Sequence, residues 1–304
     1  MSNVLTNTPL KALLKIGYYC NYSCNFCHAE EKKNIKQIPL PSIFFKVLLL
    51  KKKWVETILL SWWESSLEKH FFTVVAFILK QWLSFWIVTN GSTIVSESFL
   101  NKLDSLWIQN IYLSLHWYWD IHNKIVWDDK SFDKINTILS HMNKRRHIKF
   151  FLNYVVTKEN YNSISDTVQF LSSSEYPDIH IKFSILEPSW AGDNENLFIS
   201  PREVSEVLKT CFSLYNNMNL FWDWFPPCLF QWFETKQADL QTENIRYITE
   251  LYESKIFNTD YGVRSFHKNC DDCSLRKNCY WVFSRYIEFF PSTELILPIK
   301  SHDS

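Results

Sequence analysis

Between about Lys11 and Glu187 the chain alternates short β-branched or aromatic runs with longer amphipathic stretches. Candidate strands cover residues 13–18, 55–61, 85–90, 108–116, 148–157 and 180–186. Candidate helices lie between them at 41–51, 67–81, 97–106, 131–141 and 163–171. Two strands joined through a helix run parallel, so six strands in strict alternation imply an α/β fold with right-handed crossovers. In parallel folds of this kind ligands gather at the carboxyl ends of the strands. The loops at those ends are therefore the places to look for chemistry.

The loop after the first strand answers at once. Residues 18–30 read YYCNYSCNFCHAE, placing Cys20, Cys24 and Cys27 at spacings of three and two intervening residues. Eight cysteines scattered at random give this spacing only roughly 0.006 times per chain. Three thiolates on so short a loop suit a [4Fe–4S] cluster better than a disulfide, and three ligands for four irons leave one iron open. The alternative is a structural zinc site, but zinc normally takes four ligands in paired knuckles. His28 is the candidate fourth ligand there, and its adjacency to Cys27 strains any reach to the same metal.

Cys20-x3-Cys24-x2-Cys27, with the aromatic Phe26 before the last cysteine, resembles the cluster motif of the radical S-adenosylmethionine (SAM) enzymes. The resemblance implies an open, partial (β/α)6 TIM-like barrel. It further implies that the open iron chelates SAM and that one electron from the cluster splits the sulfonium. The product is a 5′-deoxyadenosyl radical that takes a hydrogen atom from substrate. The same resemblance carries candidate SAM contacts onto Phe26, Trp62, Trp63, Glu64, Asn90, Ser114 and Asn153. Thr89-Asn90-Gly91 ends the third strand, Ser114 lies on the fourth and Asn153 on the fifth, while His116 and His122 are weaker candidates for the pocket wall.

After the second strand the family pattern expects Gly-Gly-Glu-Pro, and this chain reads Ser61-Trp62-Trp63-Glu64-Ser65. Tryptophan stands where glycine is expected again at Trp54, Trp107, Trp117, Trp127, Trp190 and Trp281. The composition moves the same way: the chain has only 4 Gly and 14 Trp, against roughly 21 glycines at ordinary usage. Helix C-caps with positive φ, and strand ends where a ligand meets backbone, are glycine positions for steric reasons. Exposed indoles at Trp62 and Trp63 are expected to fill the space SAM needs. These tryptophans therefore read as glycines in the source, with a reassigned UGA codon as one route. The rival is a degenerate family member that has lost SAM binding.

A polar boundary at residues 193–200 leads into a helix start, with Ser200 at N-cap, Pro201 at N1 and Glu203 at N3. It divides the chain into a core at 1–195 and a cysteine-rich α+β domain at 196–304. There Cys270-x2-Cys273-x5-Cys279 forms a second compact thiol loop, with Cys228 upstream as the candidate fourth ligand. This is similar to the twitch or truncated SPASM extension, which implies an auxiliary [4Fe–4S] cluster. Phe283 stands where a full SPASM pattern has a further cysteine, so a second auxiliary cluster is not expected. A four-cysteine zinc knuckle fits the same ligand types. Cys211 falls inside the helix after Ser200 and reads as a buried thiol.

Equal numbers of basic and acidic residues, 32 each, leave no electrostatic footprint for a polynucleotide. No apolar run reaches the length of a membrane span, and no leader pattern opens the chain. A cytoplasmic enzyme is expected, served by a reductant such as flavodoxin or ferredoxin. Its substrate is a peptide or a small molecule, and enzymes with this extension favour the peptide.

Overall fold

The computed structural model describes residues 10–27, 37–61, 63–116, 120–145, 147–173, 179–238, 245–248, 257–258, 264–276, 279 and 282–299. Six strands appear where the alternation places them: β1 Lys11–Leu14, β2 Thr57–Leu60, β3 Ser84–Thr89, β4 Asn110–Ser114, β5 Lys149–Val156 and β6 His180–Ile185. The helices α1 Leu40–Lys52, α2 Phe71–Lys80, α3 Glu97–Ser105, α5 Ser131–Met142 and α6 Ile164–Ser173 stand between them. One more helix, α4 Asp120–Val126, escaped the sequence pattern because seven residues are too few to show a period.

The six strands pair side by side in parallel, in sequence order. The sheet then continues past residue 195. Helix α7, Pro201–Leu214, crosses over to β7, Asn219–Asp223, which pairs parallel with β6. At the other edge β8 Ile245–Ile248 pairs parallel with β1, and β9 Phe257–Asn258 pairs antiparallel with β8. A small second sheet joins β10 Arg264–Ser265 to β11 Val282–Phe283, followed by the short helices α8 Ser284–Phe289 and α9 Ser292–Leu295. The start of α7 has the expected cap: Ser200 Oγ accepts from Glu203 N at 3.3 Å.

Burial alternates along β1, β3 and β5, whereas β2 is buried at all four positions. Phe85, Ile87 and Thr89 of β3 are buried, while Trp86 and Val88 between them are half-buried. The half-buried face carries an aromatic row across five strands: Trp86, Tyr112, Phe151, His180 and Phe221, with neighbouring ring centroids 4.6 to 6.0 Å apart. Such cross-strand pairs are the ordinary currency of sheet cohesion. Among the described residues no helix is long and apolar enough to cross a membrane.

Asn160 ties the ends of β4 and β5 together. Its Nδ2 donates to His116 O and Val155 O, both at 2.9 Å, and its Oδ1 accepts from Thr157 N at 2.8 Å. Both nearby histidines are held neutral. His116 Nδ1 accepts from Val155 N at 3.3 Å and His122 Nδ1 accepts from His116 N at 3.2 Å. Burial lowers the pKa of His116 well below its ordinary value, helped by His122, and brings His122 down to about 4.

Seven described non-glycine residues have φ between +48° and +73°, and all seven are tryptophan: Trp54, Trp63, Trp82, Trp107, Trp127, Trp224 and Trp232. A side chain in this left-handed region costs ~1–2 kcal/mol in clash between Cβ and the following carbonyl. The expectation of glycine-type backbone holds at 54, 63, 107 and 127. Trp190 begins a short 3-10 turn, Trp190–Gly192, and is not in the set. Residues 62, 117 and 281 lie outside the described residues, as does His28.

Two outcomes test this packing. Asn160→Ala strips partners from two buried backbone groups and a third that is half-buried, and we expect it to cost about 2–4 kcal/mol in chemical denaturation. Below pH 6.5 the unfolded chain binds protons that the folded His122 refuses, so stability is complete above that pH and drains away toward pH 4. We expect about 2 kcal/mol less stability at pH 5 than at pH 7.5 from His122 alone. The urea midpoint should fall accordingly, and His122→Asn should shrink the loss.

Candidate SAM and iron–sulfur sites

Beyond Leu14 the chain buries Ile16 and Tyr18 before it reaches Cys20. Cys20, Cys24 and Cys27 are all half-buried on one loop. That loop is fastened by backbone bonds to the end of α4: Ser23 N donates to Val126 O at 3.3 Å and Asn25 N to Ile125 O at 3.1 Å. Cys27 N closes a turn onto Cys24 O at 3.1 Å. Phe26 turns inward and meets the His116 ring edge-on, with centroids 4.7 Å apart. Its carbonyl runs so close to Gly192 that a Cβ there would lie 3.2 Å from Phe26 O and 2.6 Å from Glu187 O.

The end of β2 locks onto this loop through Glu64. Its backbone N donates to Tyr19 O at 3.0 Å, and its side chain is completely buried. The carboxylate accepts from Asn90 N at 2.6 Å, from Thr89 Oγ1 at 2.8 Å and from Ser66 Oγ. Burial raises its pKa, and those hydrogen bonds pull the other way. Asn90 in turn donates through Nδ2 to Cys20 Sγ at 3.7 Å and to Asn21 Oδ1 at 3.0 Å. Tyr22 N also points at Cys20 Sγ, at 3.5 Å. Donors at a sulfur favour its thiolate, the form a metal takes. Gly91, at φ +89°, leaves room for the tight turn, since a Cβ there would lie 2.8 Å from Ile138.

Trp63 sits in the midst of these groups. It is half-buried, where the sequence suggested an exposed indole, because its ring lies edge-on against Tyr18 at 4.7 Å, with Lys15 Nζ 5.4 Å from the ring. Further along the sheet, Ser114 and Asn153 are register partners on β4 and β5. Lys182 follows Asn153 in register on β6, and its Nζ pairs with Asp223 Oδ2 of β7 at 3.0 Å. The Lys182–Asp223 pair was missed in the sequence. The alternation His180, Lys182, Ser184 shows a polar face, but nothing in the sequence tells which strand stands beside it.

The C-terminal thiols converge as well. Cys228, Cys270, Cys273 and Cys279 line one cavity, walled by apolar groups including Phe266, Val282 and Ile296. Cys228 sits on the 3-10 turn Pro227–Phe230, where its Sγ accepts from Leu297 N at 3.3 Å. Burial, with a smaller contribution from the other three sulfurs, pushes the Cys228 thiol up to about 12. Cys270 is raised too, mainly by burial. A pocket whose burial disfavours the Cys228 and Cys270 thiolates fits a group whose positive charge restores them, as cluster binding does by expelling protons. Among the described residues no three metal-ligating side chains close on a point suited to a single ion. Cys211 is buried in α7 against Ser165 Oγ at 3.7 Å, as a packing thiol, and lines neither site.

Crystal structures with a similar fold include SuiB of Streptococcus suis bound to the precursor peptide SuiA. It is 15% identical, with a TM-score of 0.69 over 95% of this chain and 74% of that one. Native anSMEcpe with bound AdoMet and the Cp18Cys peptide is 16% identical, with a TM-score of 0.69 over 96% and 93% of the two chains. HydG, a maturase of the [FeFe]-hydrogenase, is 13% identical, with a TM-score of 0.52 over 70% of this chain and 50% of that one. No curated protein sequence matches the chain. The sequence pattern of the radical SAM superfamily matches residues 14–171, from the end of β1 through α6. With the cysteine loop, the parallel sheet and the pattern in agreement over half its length, the chain belongs to the radical SAM superfamily.

Proposed function

We propose that the protein is a radical SAM enzyme that modifies a peptide or protein side chain. Cys20, Cys24 and Cys27 hold the SAM-cleaving [4Fe–4S] cluster, and Cys228, Cys270, Cys273 and Cys279 hold an auxiliary one. The observation that carries this reading is the junction at Asn90, whose side chain reaches Cys20 Sγ while its backbone N–H reaches Glu64. The three places where the family keeps its SAM site are thus one hydrogen-bonded unit in this chain. When bound, the cluster and SAM supply one electron and a sulfonium, whose cleavage gives a radical able to take a hydrogen atom.

The chain's own residues do the rest. Phe26 and His116 seal the inner side of the cysteine loop, keeping water from the sulfurs. Glu64 fixes the strand ends, so the backbone at 63–64 is set before SAM arrives. Ser114, Asn153 and Lys182 form a polar row through which SAM and substrate are oriented. The peptide reading draws support from SuiB and anSMEcpe, whose structures contain peptides. A small molecule is the alternative substrate, and flavodoxin or ferredoxin is the proposed reductant. Residues 1–195 are the proposed catalytic core and 196–304 the auxiliary domain, which lends β7 to the sheet. No disulfide joins the eight cysteines, which suits the reducing cytoplasm where we place the enzyme.

One observation favours a second reading, a homologue that binds metal without catalysis: the Trp63 ring lies beside Tyr18, next to Glu64. Anaerobic reconstitution separates the two. We expect about eight irons per chain, falling to about four in Cys24→Ala, with 5′-deoxyadenosine formation lost. In Cys270→Ala the SAM-cleaving cluster and its response to SAM in electron paramagnetic resonance should survive. Undiminished SAM cleavage by Cys24→Ala would overturn the ligand assignment. Zinc in place of iron at the C-terminal site would overturn the auxiliary cluster.

A further inference from the structure

We infer that Trp54, Trp63, Trp82, Trp107, Trp127, Trp224 and Trp232 are glycines in the protein as its own organism makes it, whereas Trp86 and Trp222 are true tryptophans. The hydrogen bonds at the helix ends carry the inference. After α1, Trp54 N donates to Lys51 O at 3.0 Å and Val55 N to Leu50 O at 3.2 Å. After α2, Trp82 N donates to Leu79 O at 2.9 Å and Leu83 N to Ile78 O at 3.4 Å. After α3, Trp107 N donates to Asp104 O at 2.9 Å and Ile108 N to Leu103 O at 3.4 Å. Each is the paired bond set of a Schellman motif, with tryptophan at the one position that calls for a left-handed residue. The apolar contact that completes the motif is available each time, since Leu50 and Val55, Ile78 and Leu83, and Leu103 and Ile108 are all buried. Helix α4 ends alike: Asp128 N reaches back to Asn123 O at 3.1 Å across Trp127.

Trp232 shows the same demand in a different turn. Phe233 N donates to Phe230 O at 2.9 Å, and the intervening residues are Gln231 at φ −52°, ψ 135° and Trp232 at φ 73°. That is a type II turn, whose third residue is glycine by preference. Asparagine and aspartate, the usual non-glycine visitors to this region, occupy it nowhere among the described residues. The indoles also gain nothing from packing. Trp54, Trp82, Trp107, Trp127 and Trp232 are 76% to 93% exposed, where a large apolar side chain has no reason to be.

Trp86 and Trp222 are the internal control. Trp222 is fully buried on β7, stacks on Phe230 at 4.5 Å and donates from Nε1 to Phe233 O at 3.0 Å. Trp86 lies mid-strand in the aromatic row, with Lys11 Nζ 4.8 Å above its ring. Neither has positive φ. One residue letter therefore covers two physical populations, as happens when two codons with different meanings, UGA and UGG, are read as one. At position 63 the consequence reaches the SAM site, because glycine removes the ring lying against Tyr18.

The test is independent of catalysis. Peptide mass spectrometry of the protein isolated from its source, read beside its gene, should show glycine and UGA at the seven positions and tryptophan and UGG at 86 and 222. Tryptophan with UGG at any of the seven would overturn the inference there. Recombinant variants give a second readout. Trp54→Gly, Trp82→Gly and Trp107→Gly should each raise the melting temperature by about 2 °C or more, and Trp222→Gly should lower it. A fall in melting temperature for the three cap variants would contradict the backbone argument.

Discussion

A buried carboxylate is costly unless donors surround it, and Glu64 finds its donors on the neighbouring strand end. Thr89 and Asn90 of the β3 end and Ser66 of its own turn converge on the carboxylate, while its backbone N–H grips Tyr19 at the head of the cysteine loop. One residue, through its side chain and its backbone, thereby ties together three chain segments that are far apart in sequence. The cysteines are placed by this junction and by the backbone bonds to α4. Parallel strand order does the remaining work. Every strand from β1 to β7 ends at the same edge, and the polar row from Ser114 to Lys182 lies along the sheet from that junction.

The architecture was legible because strands buried on one face and helices with one apolar stripe leave opposite periods in a sequence. Each of the six strands overlaps its expected span, with ends that differ by at most four residues. The cysteine spacings were equally plain, and the second set lines one cavity together with Cys228. Long-range pairings left no such trace. Asn90 meets Cys20 across 70 residues and Lys182 meets Asp223 across 41, and single residues of those types carry no mark of their partner. The strand before Cys228 could be suspected, but its place beside β6 depends on α7 crossing over the sheet, which a local pattern cannot state.

Tryptophan was the least expected carrier of structural information. At 54, 107 and 127 the sequence signal and the backbone agree because a helix stop followed by a strand start defines a glycine site in any α/β protein. Trp82 occupies the same place between α2 and β3 and offered the same signal unread. Trp224 and Trp232 lie in irregular turns, where only the dihedral angles reveal the requirement. Trp63 differs from expectation in burial, since Tyr18 takes up its ring, but its left-handed backbone matches the first-order reading of that motif.

The most direct measurement is reductive SAM cleavage under anaerobic conditions, made in parallel on the chain as written and on one with glycine at Trp62 and at the seven left-handed positions. The account predicts 5′-deoxyadenosine from the glycine protein, at a rate well above that of the tryptophan protein. A glycine protein that carries its full iron complement and still releases no 5′-deoxyadenosine would contradict it.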